Sequence, residues 1–173
     1  MIMETKEYIV SAFTENAVGV LIRITAAFMR RKVNIESIKV SHSSIEGVSV
    51  FTIVAHTTKE TIENIVRQIR RIVDVIKADY YVADNVLSQE IALFKVNLGI
   101  FEDQTIEQIA SHHTLRVIDI TPECVILRKT GFREEISALA AELKERGLLI
   151  QVSRSGSVIL YDEPSEKELF GME

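Results

Sequence analysis

Asn16, Gly19 and Asn34 are the residues whose types and spacing can do chemistry in this chain. They stand in the run from Glu15 to Val40, ENAVGVLIRITAAFMRRKVNIESIKV. A strand end that runs into Asn-x-x-Gly and then an amphipathic segment puts glycine where backbone can come close to a ligand. The first residues of a helix offer unpaired N–H groups to an anion. An asparagine carboxamide both donates and accepts. With a second asparagine at the mouth of the next strand, these parts suit a small zwitterion. The same residues also make ordinary turns, with Asn16 at or near an N-cap and Asn34 in a left-handed backbone. Two asparagines flanking one helix favour the ligand.

The other reactive residue types form no catalytic set. His112 and His113 are adjacent at a helix end and point different ways, whereas metal sites usually place histidines at i, i+4 with further ligands; they read as a polar terminus. Cys124 falls inside an expected strand and reads as core. Glu134 and Glu135 belong to a helix N-terminus. The basic run RQIRR, Arg67 to Arg71, reads as the solvated side of a helix or a partner contact. No phosphate-binding Gly-x-x-x-x-Gly-Lys loop is present. No Ser-His-Asp arrangement stands out, so neither catalysis nor a metal site is expected.

The elements around these residues follow from periodicity. Tyr8 to Phe13 reads as a strand. Val20, Leu21, Ile24, Ala27 and Phe28 follow at helical spacing, with Arg30, Arg31 and Lys32 in the last turn, where positive charge suits the helix dipole. Ile35 to Ser41 and Val48 to Ala55 are strands around the turn SSIEG. Thr57 and Glu60 have capping-box spacing and open a helix with Ile62, Ile65, Val66 and Ile69 inward. Val75 to Val82 is the fourth strand. The same order then repeats: a strand Glu90 to Leu98, a helix Thr105 to His112 with Ile106, Ile109 and Ala110 inward, strands Arg116 to Ile120 and Cys124 to Arg128, a helix Arg133 to Arg146 with Ile136, Leu139, Ala140 and Leu143 inward and Gly147 at C′, and a strand Leu149 to Leu160. The expected fold is α+β, two ferredoxin-like βαββαβ domains, each an antiparallel sheet with two helices on one face. The expected division is 1–83, 84–160 and a polar tail 161–173. Val48, Val50 and Val54 alternate with Phe51, Ile53 and Ala55, so β-branched and aromatic residues face both ways. A water-facing antiparallel sheet normally alternates with polar residues. The excess predicts that the other face, or the edge, meets a partner, in a homodimer or larger assembly.

The whole chain narrows the classes. It has 173 residues, 47% hydrophobic and 6% aromatic, with no tryptophan, so the core is aliphatic. A net charge of −5 argues against a general nucleic-acid binder, and the aromatic platform of an RNA-binding sheet is missing. No run of about 18 apolar residues predicts a membrane span. The start MIMETKEYIV lacks a signal-peptide pattern, and one cysteine makes no internal disulfide. A cytoplasmic protein is expected.

A resemblance then adds to this reading. Asn16 to Arg23, Phe28 and Asn34 to Ile38 resemble the start of the small regulatory subunits of acetolactate synthase (acetohydroxyacid synthase). IVDVIKADYY, SQEIALFKV, RVIDITPECVIL and VSRSGSVIL are similar to further signatures of that family, so the likeness runs to about Leu160. It implies an N-terminal ACT domain and a C-terminal ferredoxin-like domain. It implies no active site and no cofactor in this chain, which would bind and activate a catalytic subunit using thiamine diphosphate, magnesium and FAD, and confer feedback inhibition by valine in branched-chain amino acid synthesis. It also implies that two ACT domains pair with the amino acid at their interface. The N–H groups of Gly19, Val20 and Leu21 then take the carboxylate, Asn16 orients it, and Asn34 with the backbone of Ile35 from the facing subunit take the ammonium. Val18, Lys32 and Ser41 depart from the family's usual residues. The rival readings are a free-standing amino-acid-binding ACT protein serving another enzyme or a transcription regulator, and a small ferredoxin-like enzyme working through His112 or His113.

Overall fold

The computed structural model describes residues 4–101 and 105–160; the tail expected at 161–173 lies outside them. The first six elements are β1 (Lys6–Glu15), α1 (Val20–Met29), β2 (Ser37–His42), β3 (Val48–Thr57), α2 (Lys59–Ile69) and β4 (Val75–Val82). Their sheet has the order β2-β3-β1-β4, with antiparallel neighbours throughout. On the central strand β1, Tyr8, Val10 and Ala12 face the helices. They meet Ile24, Ala27 and Phe28 of α1 and Ile62, Ile65, Val66 and Ile69 of α2 in one core. The remaining elements are β5 (Leu87–Val96), α3 (Thr105–His112), β6 (Arg116–Ile120), β7 (Val125–Gly131), α4 (Arg133–Glu145), β8 (Leu149–Arg154) and β9 (Val158–Leu160). The second sheet runs β6-β7-β5-β8, with β9 also paired to β5. Phe94 and Leu127 meet Ile109, Ile136, Leu139 and Leu143 in its core. Two antiparallel sheets, each covered by two helices, make the α+β, ferredoxin-like fold read from the periodicity. The chain divides into two compact units, one running to Leu87 and taking Ile159 and Leu160 as well, the other Ser88–Val158.

Several local expectations change. Leu21 lies outside the buried stripe of α1, 46% exposed, while Val20, Ile24, Ala27 and Phe28 are buried. α1 ends at Met29, so Arg30 is its C-cap and Arg31 and Lys32 follow the helix. Lys32 has a left-handed backbone, φ 55°. The cap of α2 is Thr58, whose hydroxyl accepts from the Thr61 N–H at 3.3 Å; Thr57 is the last residue of β3 and buried. Ala110 faces water. Cys124 precedes β7 and is buried against the Thr121 turn. The last strand is two strands, because Gly156, φ 72°, turns the chain between β8 and β9.

The two apolar faces of β3 have different surroundings. Phe51, Ile53 and Ala55 face the helices. On the opposite face Val54 is 2% exposed and its cross-strand partner Ile9 is also 2% exposed. That face is largely out of water in the single chain. On the edge strand β2, Ile38 and Val40 stay exposed.

Candidate effector site

The Asn16 end of the candidate site is a tied-down loop. The Asn16 N–H donates to the Gly47 carbonyl at 2.9 Å, which holds the loop against the β2–β3 turn. Its carboxamide bonds to no described residue, and the residue is exposed. Gly19, not Asn16, is the N-cap of α1. It has φ 84° and no side-chain cap. A β-carbon there would meet nothing within 4 Å, so the glycine serves its left-handed backbone and leaves open space in front of the helix start. Val20 is buried in the core and contributes only backbone; the Leu21 side chain stands out beside the helix start.

The Asn34 end is built by the turn after α1. Lys32 N–H donates to Met29 O at 3.0 Å and Val33 N–H to Phe28 O at 3.2 Å, so the left-handed Lys32 folds the chain back under the helix. The Asn34 Nδ2 donates to Glu36 Oε1 at 3.3 Å. Ile35 packs half-buried on the core. A cavity of about 460 Å³ opens between this turn and the outer side of α1, lined by Thr25, Met29, Asn34 and Ile35. Asn16, Gly19, Val20 and Leu21 do not line it. The two groups lie at opposite ends of a ten-residue helix, about 15 Å apart at the α-helical rise. One chain therefore does not bring the six residues together.

Reading from the sequence missed Thr25, Ile22 and Met29, which line the cavity. The signal was there: Ile22 and Met29 are apolar at i, i+7 on the face that the core stripe leaves out. Two further cavities flank the same domain. One, of about 880 Å³, holds Tyr8 and Tyr80, packed edge to face at 5.9 Å. Burial, and then the Glu63 carboxylate that accepts from its hydroxyl at 2.9 Å, push the Tyr80 phenol up. The other, of about 820 Å³, lies between α1 and α2 and is rich in arginine.

Of the histidines, His113 contacts Glu142 of α4 through Nε2 at 3.1 Å, and His112 is exposed. Among the described residues no group of three or more His, Cys, Asp or Glu could hold a metal ion. No described helix is long and apolar enough to cross a membrane.

The architecture is that of paired ferredoxin-like units of the ACT type, and comparison with known proteins narrows it. Residues 10–77 match the model of the AHAS small subunit-like ACT domain, and residues 89–163 match that of the small subunit of acetolactate synthase. The acetolactate synthase small subunit of Mycobacterium bovis is 31% identical over 94% of this chain and 96% of its own length. That of Bacillus subtilis is 32% identical over 86% and 87%. A crystal structure of the acetolactate synthase small subunit from Thermotoga maritima superposes with a TM-score of 0.79 at 28% identity, covering 92% of this chain and 99% of that one. The chain belongs to the acetolactate synthase small-subunit family.

Proposed function

We propose that this chain is a regulatory subunit without an active site of its own. It binds and activates the catalytic acetolactate synthase chain, which carries thiamine diphosphate, magnesium and FAD, and makes it sensitive to valine or another branched-chain amino acid. The observation that carries this reading is the separation of the candidate residues to the two ends of α1. A two-fold axis beside β2 sets two copies of α1 antiparallel, so the Gly19 end of one protomer meets the Asn34 end of its partner. The exposed Ile38 and Val40 of the β2 edge support such a pairing. In the assembled site the N–H groups of Gly19, Val20 and Leu21, with Asn16 beside them, hold the carboxylate. Asn34 and the Ile35 carbonyl of the facing chain hold the ammonium. Each charge-assisted hydrogen bond contributes about 1.5–3 kcal/mol. Leu21 and the apolar lining of the Thr25–Met29 cavity offer contact to a branched aliphatic side chain, worth about 1.5–3 kcal/mol when fully buried.

The test is calorimetric titration of the chain, alone and with the catalytic chain present, by valine, leucine, isoleucine and glutamate. Branched-chain binding is expected, glutamate binding is not, and Asn34→Ala weakens the former by about tenfold or more, one lost bond of about 1.4 kcal/mol. Branched-chain binding that Asn34→Ala leaves unchanged overturns the site.

A further inference from the structure

We infer that the groove between α1 and α2 is the docking surface for an acidic segment of the catalytic chain, one with carboxylates on either side of an apolar residue. Five arginines line it: Arg23, Arg30 and Arg31 from α1 and its cap, and Arg67 and Arg71 from α2 and the turn after it. No carboxylate lines it; its other polar residues are Asn64 and Gln68. Arg23 is held by Asp74 at 2.5 Å and Arg67 by Asn64 at 3.2 Å. Arg30, Arg31 and Arg71 are exposed and make no ion pair with any described residue. The chain as a whole has a charge of −5, so this concentration of positive charge is local. Helix dipoles account for cations at helix C-termini, such as Arg30 and Arg71. The same holds for Arg67 in the last turn of α2, but not for Arg23, which lies in the first turn of α1 and meets the others in the same groove. The remaining arginine of the RQIRR run has a different job. Arg70 turns to β4, where Nε donates to Ala78 O at 2.6 Å and Nη2 pairs with Asp79.

The chemistry of the groove selects its occupant. Guanidinium groups take carboxylates as planar forks. Between and beside them, Ile22 is 72% exposed and Val73 94% exposed, apolar surface that a bare small anion does not use. Arginine is among the residue types enriched at protein-binding hot spots. The groove is on the α2 side of α1 and the cavity with Asn34 on the β2 side, and the two share Ile22 and Ala26 along the helix.

This inference rests on the regulatory-subunit reading, and one experiment separates them. The affinity of the full chain for the catalytic chain is measured at low and at physiological ionic strength. The variants are Arg30→Glu/Arg31→Glu/Arg71→Glu and the milder Arg30→Lys/Arg31→Lys/Arg71→Lys. The glutamate variant is expected to bind about 100-fold more weakly, to lose the salt dependence of the unmutated chain, and to keep its branched-chain amino acid binding. The lysine variant keeps the charge but not the fork and falls between. If the unmutated chain binds and the glutamate variant binds equally well, the docking surface is elsewhere and the function stands. If the unmutated chain forms no complex, both readings fall.

Discussion

Lys32 carries the most strained backbone among the described non-glycine residues, at φ 55°. The left-handed region costs an L-residue with a β-carbon roughly 1–2 kcal/mol. The fold accepts this because the turn at Lys32 ends α1 and starts the strand that carries Asn34 and Ile35. Glycine removes the steric cost but loses roughly 0.5–1 kcal/mol of its own in backbone entropy. Lys32→Gly is therefore expected to stabilise the chain by about 0.5–1 kcal/mol, read as a rise in the urea midpoint without a change in slope. A lower midpoint means the turn is not strained. At this scale the sequence was legible where the information is local. Asn-x-x-Gly lies within four residues, and the family likeness marked position 32 as a departure. Asn16 stands near the cap but Gly19 occupies it, since Asn and Gly both serve at helix starts; the Gly47 carbonyl that claims the Asn16 N–H is 31 positions away in sequence.

At the scale of elements, Glu90 shows what sequence distance hides. It stands near the start of β5, 6% exposed. Arg154, at the end of β8, donates to its Oε2 from Nε at 2.7 Å and from Nη2 at 2.5 Å, and Ser157 donates to Oε1 at 3.2 Å. One buried carboxylate thus ties β5, β8 and the turn into β9 together. Removing one partner of a buried pair costs more than the pair contributes, because a charge stays behind without compensation. The Arg154 side chain is 32% exposed, which lowers that cost. Arg154→Ala is expected to destabilise by about 2–3 kcal/mol, measured by chemical denaturation; a loss no larger than a surface pair gives, under about 1 kcal/mol, contradicts this role. Nothing in the sequence joined residues 64 apart. The break at Gly156 was missed for a related reason: VSRSGSVIL keeps strand composition across it, and only the shared pairing of β8 and β9 with β5 separates them. The helices were easier, since a 3.6-residue apolar period names its own buried side, Leu21 and Ala110 being the errors.

At the scale of the molecule, the repeat of βαββαβ was legible because each strand and helix declares its period locally and the order occurs twice. Which surfaces meet other chains was not. The apolar excess of β3 pointed to the opposite face or the edge, and on that face Val54 and Ile9 are buried. Ile38 and Val40 are exposed on the edge strand β2, a class of edge that invites pairing with another chain. If the effector site is completed by a second copy across that edge, loss of the pair and loss of the ligand are linked in one direction only. Val40→Lys sets like charges near each other across the two-fold axis. It is expected to yield a light-scattering mass of one chain at micromolar concentration and to lose valine binding with it. Gly19→Asp puts bulk and negative charge at the helix start that would take the carboxylate. It is expected to keep the two-chain mass and the activation of the catalytic chain while losing valine sensitivity. The coupling between ligand and pairing is of the order of 1–3 kcal/mol, so valine should also tighten the unmutated pair by about 5- to 150-fold. A single-chain mass for the unmutated protein that still binds valine breaks this link, and wild-type valine sensitivity in Gly19→Asp rules out the pocket.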